Sequence, residues 1–287
     1  MNITATMVKE LRDKTGAGMM DAKKALVEVD GDMEKAMEVL RQKGMASAEK
    51  KMGRIAAEGR VEAYVDETCG AVIELNCETD FVAKNEEFIE LAKGLAELVA
   101  KSNPADVAAL EASTCPKCGK VVSEVLKEKI ASIGEKITIR RFARYEGNVA
   151  SYIHNGKIGV LLQTSAADAE LAKDVCLHIA SSAPEFVSRN EIPAAVIEHE
   201  TQIEMGKEDL ANKPEQIRAK IVEGRVNKLM AQKCLLEQAF VKNPDLTVEQ
   251  LVSGKLNIVK FERFVLGEGL EKRNENFADE VMSQISK

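Results

Sequence analysis

The sequence predicts an α+β protein, and three patterns in its 287 residues lead to that fold class. The first 54 residues show helical spacing alone, a strand–strand–helix pattern then occurs twice, and a charged segment rich in helix formers follows the second copy. A repeat of this size predicts duplicated subdomains, each with an antiparallel sheet and a helical layer. We therefore expect an N-terminal three-helix bundle, two repeated α+β subdomains and a projecting antiparallel helical hairpin.

Residues 1–54 are expected to form the helical bundle. The apolar face of its first helix is formed by Met7, Val8 and Leu11. A second helix is predicted over about Met20 to Val29, and a third begins near Asp32 and is predicted to end at Gly44 as a C-cap. Three short helices in so few residues resemble ubiquitin-associated domains, which commonly bind partners; a passive folding cap is the alternative. Residues 46–59 are expected to form a linker or an exposed helix.

The internal repeat lies in the middle of the chain. Leu91-Ala92-Lys93 recurs 80 residues later as Leu171-Ala172-Lys173, and Ser102 and Pro104 recur as Ser182 and Pro184. A predicted hairpin precedes each helix, and a third predicted strand follows each half. These strands are expected at Val61 to Tyr64, Gly70 to Leu75, Lys136 to Tyr145, Val149 to Tyr152, Gly156 to Leu162 and Asn257 to Leu266.

The charged insertion has two apolar patterns at helical spacing, separated by Asn212-Lys213-Pro214. The first pattern is Ile192, Val196 and Ile203; the second is Ile217, Ile221 and Leu229. A proline-containing break between two amphipathic helices predicts a helical hairpin. Because it has few apolar residues per turn, we expect it to project as an arm, with a helical pair packed flat on the core as the alternative.

These patterns divide the chain into five predicted parts. They are the bundle at 1–54, core subdomain N at 55–147, core subdomain C at 148–186 with 238–270, the arm at 187–237, and a C-terminal module at 271–287 that contains a helix from about Glu275 to Ile285.

Composition excludes several classes of function. A formal charge of −7 and a pI near 5.3 argue against a protein that binds nucleic acid directly, because phosphate backbones require a basic surface. The sequence contains no apolar run near the ~20 residues that cross a membrane. Met1 to Glu10 lacks the basic start and apolar core of a signal peptide. With six dispersed cysteines, these features predict a cytoplasmic location with reduced thiols.

We find no constellation typical of an enzyme. The three histidines are expected in a hairpin turn (His154), a core helix (His178) and the arm (His199), away from any zinc-protease or triad pattern. Gly16-Ala17-Gly18 lacks the third glycine of a dinucleotide site and follows a predicted helix. The sequence also lacks a phosphate-binding P-loop. We therefore expect no covalent chemistry and no cofactor.

Cys115-Pro116-Lys117-Cys118-Gly119 has the spacing of half a zinc site. A closed structural site needs four ligands, and no second cysteine pair has this spacing. Cys69 and Cys77 could contribute only if the fold brought them close. A zinc site, a redox pair and an ordinary loop therefore stay open as interpretations of Cys115 and Cys118.

The stretch from Leu75 to Phe88 is the most informative one. An apolar run, Ala71 to Leu75, predicts a buried strand, and Asn85 is a good N-cap for a helix that has Glu86 in its first turn. Phe81 then falls on the turn between them, where it can enter a crevice on another protein. The alternative is that Phe81 packs under its own helix, because large apolar side chains are usually buried.

Thr79-Asp80-Phe81-Val82 resembles the signature tetrapeptide of bacterial elongation factor Ts, the guanine-nucleotide exchange factor of elongation factor Tu. Other segments resemble the same family, in the expected order along nearly the whole chain. They are Val8 to Arg12, Thr15 to Asp21, Lys23 to Leu26, Ile133-Gly134-Glu135, Ile139-Arg140-Arg141, Ser151 to Val160, Pro184-Glu185-Phe186 and Gly267-Glu268-Gly269.

The resemblance implies a translation elongation factor that binds elongation factor Tu, both GDP-bound and nucleotide-free. Asp80 and Phe81 would enter a cleft between two helices of the partner's nucleotide domain. That intrusion would disturb the Mg²⁺ and phosphate site, release GDP and allow GTP to bind.

The resemblance also implies further contacts with the partner. These residues are Met19, Met20 and Lys23 in the bundle, Ile133 and Gly134 at a turn, His154 in the second hairpin, and Val241. The last helix is expected to pack on the partner as well. The arm is associated with self-association in some family members, which implies a homodimer as a further assembly.

Two other classes of function remain as alternatives. One is an adaptor that binds peptides or proteins through residues 1–54. The other is a zinc or thiol protein that uses Cys115 and Cys118.

Overall fold

The computed structural model describes residues 3–211 and 213–271. The predicted C-terminal helix near Glu275 to Ile285 lies outside the described residues, as does Asn212 in the predicted break of the arm. Helices combine with small antiparallel sheets, so the predicted α+β fold class is confirmed. Across both described ranges, every helix is too short or too polar to traverse a bilayer.

The first part of the chain alternates helices with one set of strands. Its elements are α1 (Ala5–Thr15), α2 (Met19–Glu28), α3 (Met33–Lys51), β1 (Glu58–Val65), β2 (Cys69–Cys77), α4 (Asp80–Ala83), α5 (Glu86–Ser102), α6 (Val107–Ala112), α7 (Val122–Ile133) and β3 (Thr138–Glu146). The second part contains β4 (Asn148–His154), β5 (Ile158–Thr164), α8 (Ala169–Ser182), α9 (Ala194–Met205), α10 (Glu215–Lys233), β6 (Ala239–Phe240), β7 (Asn243–Thr247), α11 (Val248–Val252) and β8 (Ile258–Val265).

The described chain divides into two compact units. One is made by the residues up to Glu62, from Ile73 to Phe142 and from Val265 onward. The other is Ala63–Val72 with Ala143–Phe264. The five-part division drawn from the sequence stays a prediction.

Helices α1, α2 and α3 form a three-helix bundle. The Thr4 side chain accepts a hydrogen bond from the backbone N–H of Met7, and the Asp32 carboxylate accepts from Glu34 and Lys35, so each side chain caps the helix that follows it. The buried core consists of Val8, Leu11, Ala22, Ala25, Leu26 and Ala36. The likeness of this bundle to ubiquitin-associated domains stays a prediction.

The predicted end of the third helix at Gly44 is wrong. Helix α3 continues to Lys51, and Gly44 lies in its interior. A Cβ atom at Gly44 would lie 2.9 Å from the Cβ of Ala131 in α7, closer than such contacts allow. The glycine therefore lets α3 and α7 approach each other, and it does not terminate the helix.

The first half of the repeat forms a sheet in the order β1-β2-β3. Strand β2 is buried along its whole length, as its apolar run predicted, and the third predicted strand is β3. Helix α5 begins after Asn85, whose Oδ1 accepts from the Glu87 backbone N–H at 2.8 Å, so the predicted N-cap is confirmed.

The second half has the same strand–strand–helix order and a late third strand. Its sheet has the order β4-β5-β8, and β4 pairs antiparallel with β5. Helix α8 covers this sheet through a buried cluster that includes Val160, Leu162, Val175 and Ile179. The predicted duplication is therefore confirmed at the level of element order and sheet topology.

The repeat extends to backbone conformation at the ends of α5 and α8. Asn103 and Ala183 both have φ of 48°, and each N–H donates to a carbonyl four residues earlier. A left-handed alanine costs roughly 1–2 kcal/mol relative to a right-handed one. Ala183 thus keeps the left-handed conformation found at the corresponding position, Asn103, although alanine disfavours it.

Helices α9 and α10 form the predicted helical pair and share a small core. Its buried members are Ile192, Leu210, Val222, Val226, Met230 and Cys234. Ile192 precedes α9, and Ile203 and Ile217, predicted on the apolar faces, are about half exposed at 47% and 52%. The projection of this pair as an arm stays a prediction.

A two-stranded hairpin, β6 with β7, was not predicted from the sequence. It packs near His178, which is fully buried in α8. The His178 Nε2 lies 2.8 Å from Gln238 Oε1, and Nδ1 accepts from the backbone N–H of Val241 at 3.2 Å. Burial holds the pKa of His178 below its ordinary value, although the Gln238 hydrogen bond opposes the shift.

We expect Gly44→Ala to destabilise the protein and Gly94→Ala to stabilise it. Both glycines lie inside helices, so alanine gains about 0.5–1 kcal/mol of helix propensity at each. A Cβ at Gly94 meets no atom within 4 Å, whereas one at Gly44 meets Ala131, and overpacking of this kind costs about 1–3 kcal/mol. Thermal unfolding of the two variants measures this, and a Gly44→Ala protein as stable as Gly94→Ala would contradict the close approach.

We expect the stability lost in His178→Gln to be smaller at pH 5 than at pH 7.5. The folded His178 has a lowered pKa, so below about pH 6.5 the unfolded chain binds a proton that the folded chain does not. Its stabilising effect is therefore full above that pH and declines as the pH falls, by at most about 1.4 kcal/mol per pH unit. Unfolding midpoints of both proteins at the two pH values test this; an equal or larger loss at pH 5 would be the contrary result.

Candidate functional site

The segment Thr79–Val82, here called the signature segment, lies where strand β2 ends. The sequence predicts a turn between a strand and a helix here, and in the structure this turn is the short helix α4. Thr79 is the N-cap, and its Oγ1 accepts from the backbone N–H of Val82 at 3.4 Å. Asp80 falls in the first turn, where the helix dipole favours a carboxylate. The segment is therefore a capped helical turn with a defined backbone.

Phe81 is the most exposed of the large apolar side chains described, at 82%. Phe88, seven residues later in α5, is fully buried. The alternative in which Phe81 packs beneath its own helix is therefore wrong. A phenyl ring held out on a short helix presents nearly all of its apolar surface to solvent.

The neighbours of Phe81 in the signature segment differ in exposure. Asp80 Oδ2 lies 2.6 Å from Lys84 Nζ, an exposed i,i+4 ion pair of the kind that contributes little stability. Val82 is half-buried. The segment therefore presents an aromatic ring and an adjacent carboxylate on a partly buried base.

Glu135 binds the start of the signature segment through hydrogen bonds. Its Oε2 accepts from the backbone N–H groups of Glu78 and Thr79 at 3.1 and 3.0 Å, and its Oε1 accepts from Thr79 Oγ1 at 2.6 Å. The Thr79 hydroxyl thus donates to Glu135 while it accepts from Val82, which uses both of its hydrogen-bonding roles. Three bonds to one carboxylate are charge-assisted and strong.

Glu78, beside Thr79, makes a reciprocal contact with the residue that follows Glu135. Its Oε1 accepts from the backbone N–H of Lys136 at 2.7 Å and lies 3.2 Å from Arg54 Nη1. We call this reciprocal pair the Glu78–Glu135 clamp. It brings the signature segment together with Ile133 and Gly134, because Glu135 follows them directly in the chain. Gly134 caps α7 with φ of 90°, a conformation that favours glycine.

Strand β2 is anchored below the signature segment by Glu74, which is fully buried. Its carboxylate lies 2.9 Å from Arg140 Nη1 and 2.7 Å from Arg141 Nε, and it accepts from the backbone N–H of Gly267 at 2.8 Å. Burial alone would raise the pKa of Glu74, but the Gly267 N–H and the two guanidinium groups hold it below its ordinary value. Glu74 is therefore ionised in the folded protein.

Gly267 is required for this anchor. Its φ is 69°, and a Cβ atom there would lie 2.6 Å from the carbonyl oxygen of Ala57. Any other residue at this position would displace the backbone N–H that donates to the Glu74 carboxylate.

Three further predicted site residues lie at the start of α2. Met19 and Met20 are 47% and 64% exposed, and Lys23 is exposed as well. Adjacent exposed methionines form a flexible apolar surface of a kind used in binding.

His154 and Val241 lie in the second unit. His154 ends β4 rather than occupying the turn itself; its Nδ1 lies 3.1 Å from the Tyr152 hydroxyl and its Nε2 lies 3.3 Å from Asn155 Nδ2. Val241 is 43% exposed between β6 and β7, and its backbone is held by His178. Both predicted residues are accessible.

The six cysteines all lie in the described part of the chain as thiols, and four of them are buried. Burial raises the pKa of Cys77 and of Cys176 to about 12. Cys115 and Cys118 lie at the surface instead. Among the residues with described positions, no three His, Cys, Asp or Glu side chains converge to hold a metal ion, so this part of the chain supplies no closed four-ligand zinc site.

Sequence reasoning missed Glu78, Glu135 and Glu74. Glu135 stood within a segment that resembled the family, but its partner Thr79 is 56 residues away and no spacing rule connects them.

Known proteins support one assignment. The family model described as Elongation factor TS matches residues 78–268. Curated proteins named elongation factor Ts align with 99% of this chain and 99% of their own length. They include those of Alkalilimnicola ehrlichii (47% identical over 290 residues), Clostridioides difficile (49% over 301) and Syntrophotalea carbinolica (47% over 300). The chain therefore belongs to the elongation factor Ts family of translation elongation factors.

Proposed function

We propose that this protein binds elongation factor Tu in its GDP-bound and nucleotide-free forms and accelerates GDP release by inserting Phe81. The observation that carries the proposal is an aromatic ring 82% exposed on a capped and clamped helical turn. The ring enters a cleft between two helices of the partner's nucleotide domain. Asp80 follows it and disturbs the Mg²⁺ and phosphate contacts of GDP, after which GTP binds.

The energy available from the ring is sufficient. Burial of a phenylalanine removes ~150–200 Å² from water and is worth about 4–5 kcal/mol before costs. Docking and ordering consume part of this gain. A surplus of ~3 kcal/mol weakens nucleotide affinity about a hundredfold.

The Glu78–Glu135 clamp lowers the ordering cost. Three hydrogen bonds already fix the backbone that carries Phe81, so the segment loses little conformational freedom on binding. Coupling between two ligands is reciprocal, so GTP that binds the partner weakens its hold on this protein by the same factor. One molecule can therefore act on many partners in turn.

The remaining exposed residues extend the proposed contact surface. Met19, Met20 and Lys23 contact the partner's nucleotide domain, and Ile133 and Gly134 contact it beside the signature segment. His154 and Val241 contact another part of the partner. The activity takes place in the cytoplasm, without a covalent step, and self-association through the arm is a further assembly.

We expect Phe81→Ala to reduce the acceleration of GDP release about a hundredfold and to leave the unfolding temperature unchanged. The ring is lost from the interface, but it contributes little to the fold because it is exposed. Stopped-flow release of a fluorescent GDP analogue from purified elongation factor Tu measures the rate. Val259→Ala, which shortens another exposed apolar side chain in β8, is the control and should keep the full rate. If Phe81→Ala accelerates release as well as the unchanged protein does, the proposed mechanism is wrong.

We expect Glu135→Gln to lower the acceleration of GDP release roughly tenfold. Without the clamp, ordering of the signature segment costs about 1.4 kcal/mol when the partner binds. The amide has one oxygen where the carboxylate has two, so it cannot accept from both the Thr79 hydroxyl and the two N–H groups. Amide hydrogen exchange at Thr79 and Val82 should become faster. Glu90→Gln, on an exposed ion pair of α5, serves as the matched control.

A double variant separates positioning from general damage. If Glu135 acts through the ring, Glu135→Gln should change the rate little once Phe81 is already alanine. A full additional tenfold loss in the Phe81→Ala background would show that Glu135 acts elsewhere.

A further inference from the structure

A short β-hairpin connects helices α6 and α7 and carries Cys115 and Cys118. We call residues Ser113–Val122 the cysteine hairpin. Thr114 and Val121 form an antiparallel bridge, and Val122 N–H donates to Ser113 O at 2.9 Å. The hairpin therefore has defined strand pairing at its base.

The turn of the cysteine hairpin is closed by two backbone hydrogen bonds. The N–H of Cys115 donates to the carbonyl of Lys120, and the N–H of Gly119 donates to the carbonyl of Cys115, both at 2.8 Å. Gly119 has φ of 69°, which lets the chain reverse directly after the second cysteine. A Cys-x-x-Cys-Gly turn of this kind places two thiols at one rim.

The turn holds Cys115 and Cys118 close together, because the Gly119 N–H donates to the carbonyl of Cys115. Cys118 is exposed and Cys115 is half-buried, whereas the other four cysteines are buried in the two units. A solute can therefore reach this pair more readily than the four buried cysteines.

The charges around the hairpin are already balanced. Lys117 Nζ lies 3.3 Å from a Glu97 oxygen, and Lys120 Nζ lies 2.6 Å from a Glu128 oxygen. Each flanking ammonium group already has a carboxylate partner and does not need the thiolates as counter-ions. The charges of two thiolates would therefore balance the charge of one divalent ion.

From this arrangement we infer that the cysteine hairpin binds one soft metal ion, with Zn²⁺ as the reference, through the sulfur atoms of Cys115 and Cys118. Each thiol loses its proton when its sulfur bonds to the ion, so two protons are released per ion and no atom is oxidised. Since residues 3–211 and 213–271 place no third ligand beside the pair, water or an external donor completes the tetrahedron. This inference is independent of nucleotide exchange.

Titration of the full chain with Co²⁺ tests the inference directly. The protein is kept reduced with a phosphine that does not bind as a thiol. We expect a sulfur-to-cobalt charge-transfer band that saturates at one ion per chain, release of two protons, and loss of the band when Zn²⁺ is added. Absence of the band would overturn the inference.

Variants assign the ligands. Cys115→Ser and Cys118→Ser should each weaken binding at least tenfold, because each removes one of two sulfur ligands. Cys69→Ala, at a buried cysteine in β2, should bind as the unchanged protein does. Thermal unfolding of all three proteins checks that the fold is intact. Binding that persists in both serine variants would place the ion elsewhere and would also overturn the inference.

Discussion

The carboxylate of Glu135 is the constraint on which the geometry of the signature segment depends. It joins the end of α7 to the start of α4, two places that are far apart in the sequence, and it does so through three hydrogen bonds to a single turn. An apolar ring on an unrestrained loop would fold back onto any available surface. The backbone that carries the exposed Phe81 is capped by Thr79 and held by Glu135, which restricts such movement.

Glu74 is a second carboxylate that joins segments distant in the sequence, and it lies in the interior. Glu74 is fully buried, yet it faces two arginines and a glycine N–H, so its charge is compensated. A buried ion pair adds little stability over an apolar replacement, but loss of one partner is strongly destabilising. Glu74 therefore fixes which segments meet at β2, and the segment that carries Phe81 continues directly from that strand.

Much of the fold could be predicted because it repeats and because its signals are local. The repeat is visible as two similar segments 80 residues apart, and the alternation of strands and the N-cap at Asn85 depend on nearby residues. Gly44 could not be interpreted in the same way: a glycine that ends a helix and one that admits a neighbouring helix look identical in sequence, and only Ala131 distinguishes them. The β6–β7 hairpin has strands of two and five residues, too short to show a period. The hydrogen bonds of Glu135 could not be predicted because they join residues 56 positions apart, whereas the exposure of Phe81 agrees with its predicted position on a turn.

The exposed ring of Phe81 also affects how copies of this protein meet one another. An exposed phenyl group favours association with other apolar surfaces in water, so the rings of two copies would tend to associate. Asp80 and Glu87 near the ring are paired with Lys84 and Lys129, but the whole protein carries a net charge of −7. Approaching copies therefore repel each other at low ionic strength before their rings touch, and this repulsion reaches only about 8 Å at physiological salt. The net negative charge thus opposes aggregation through the exposed ring of Phe81.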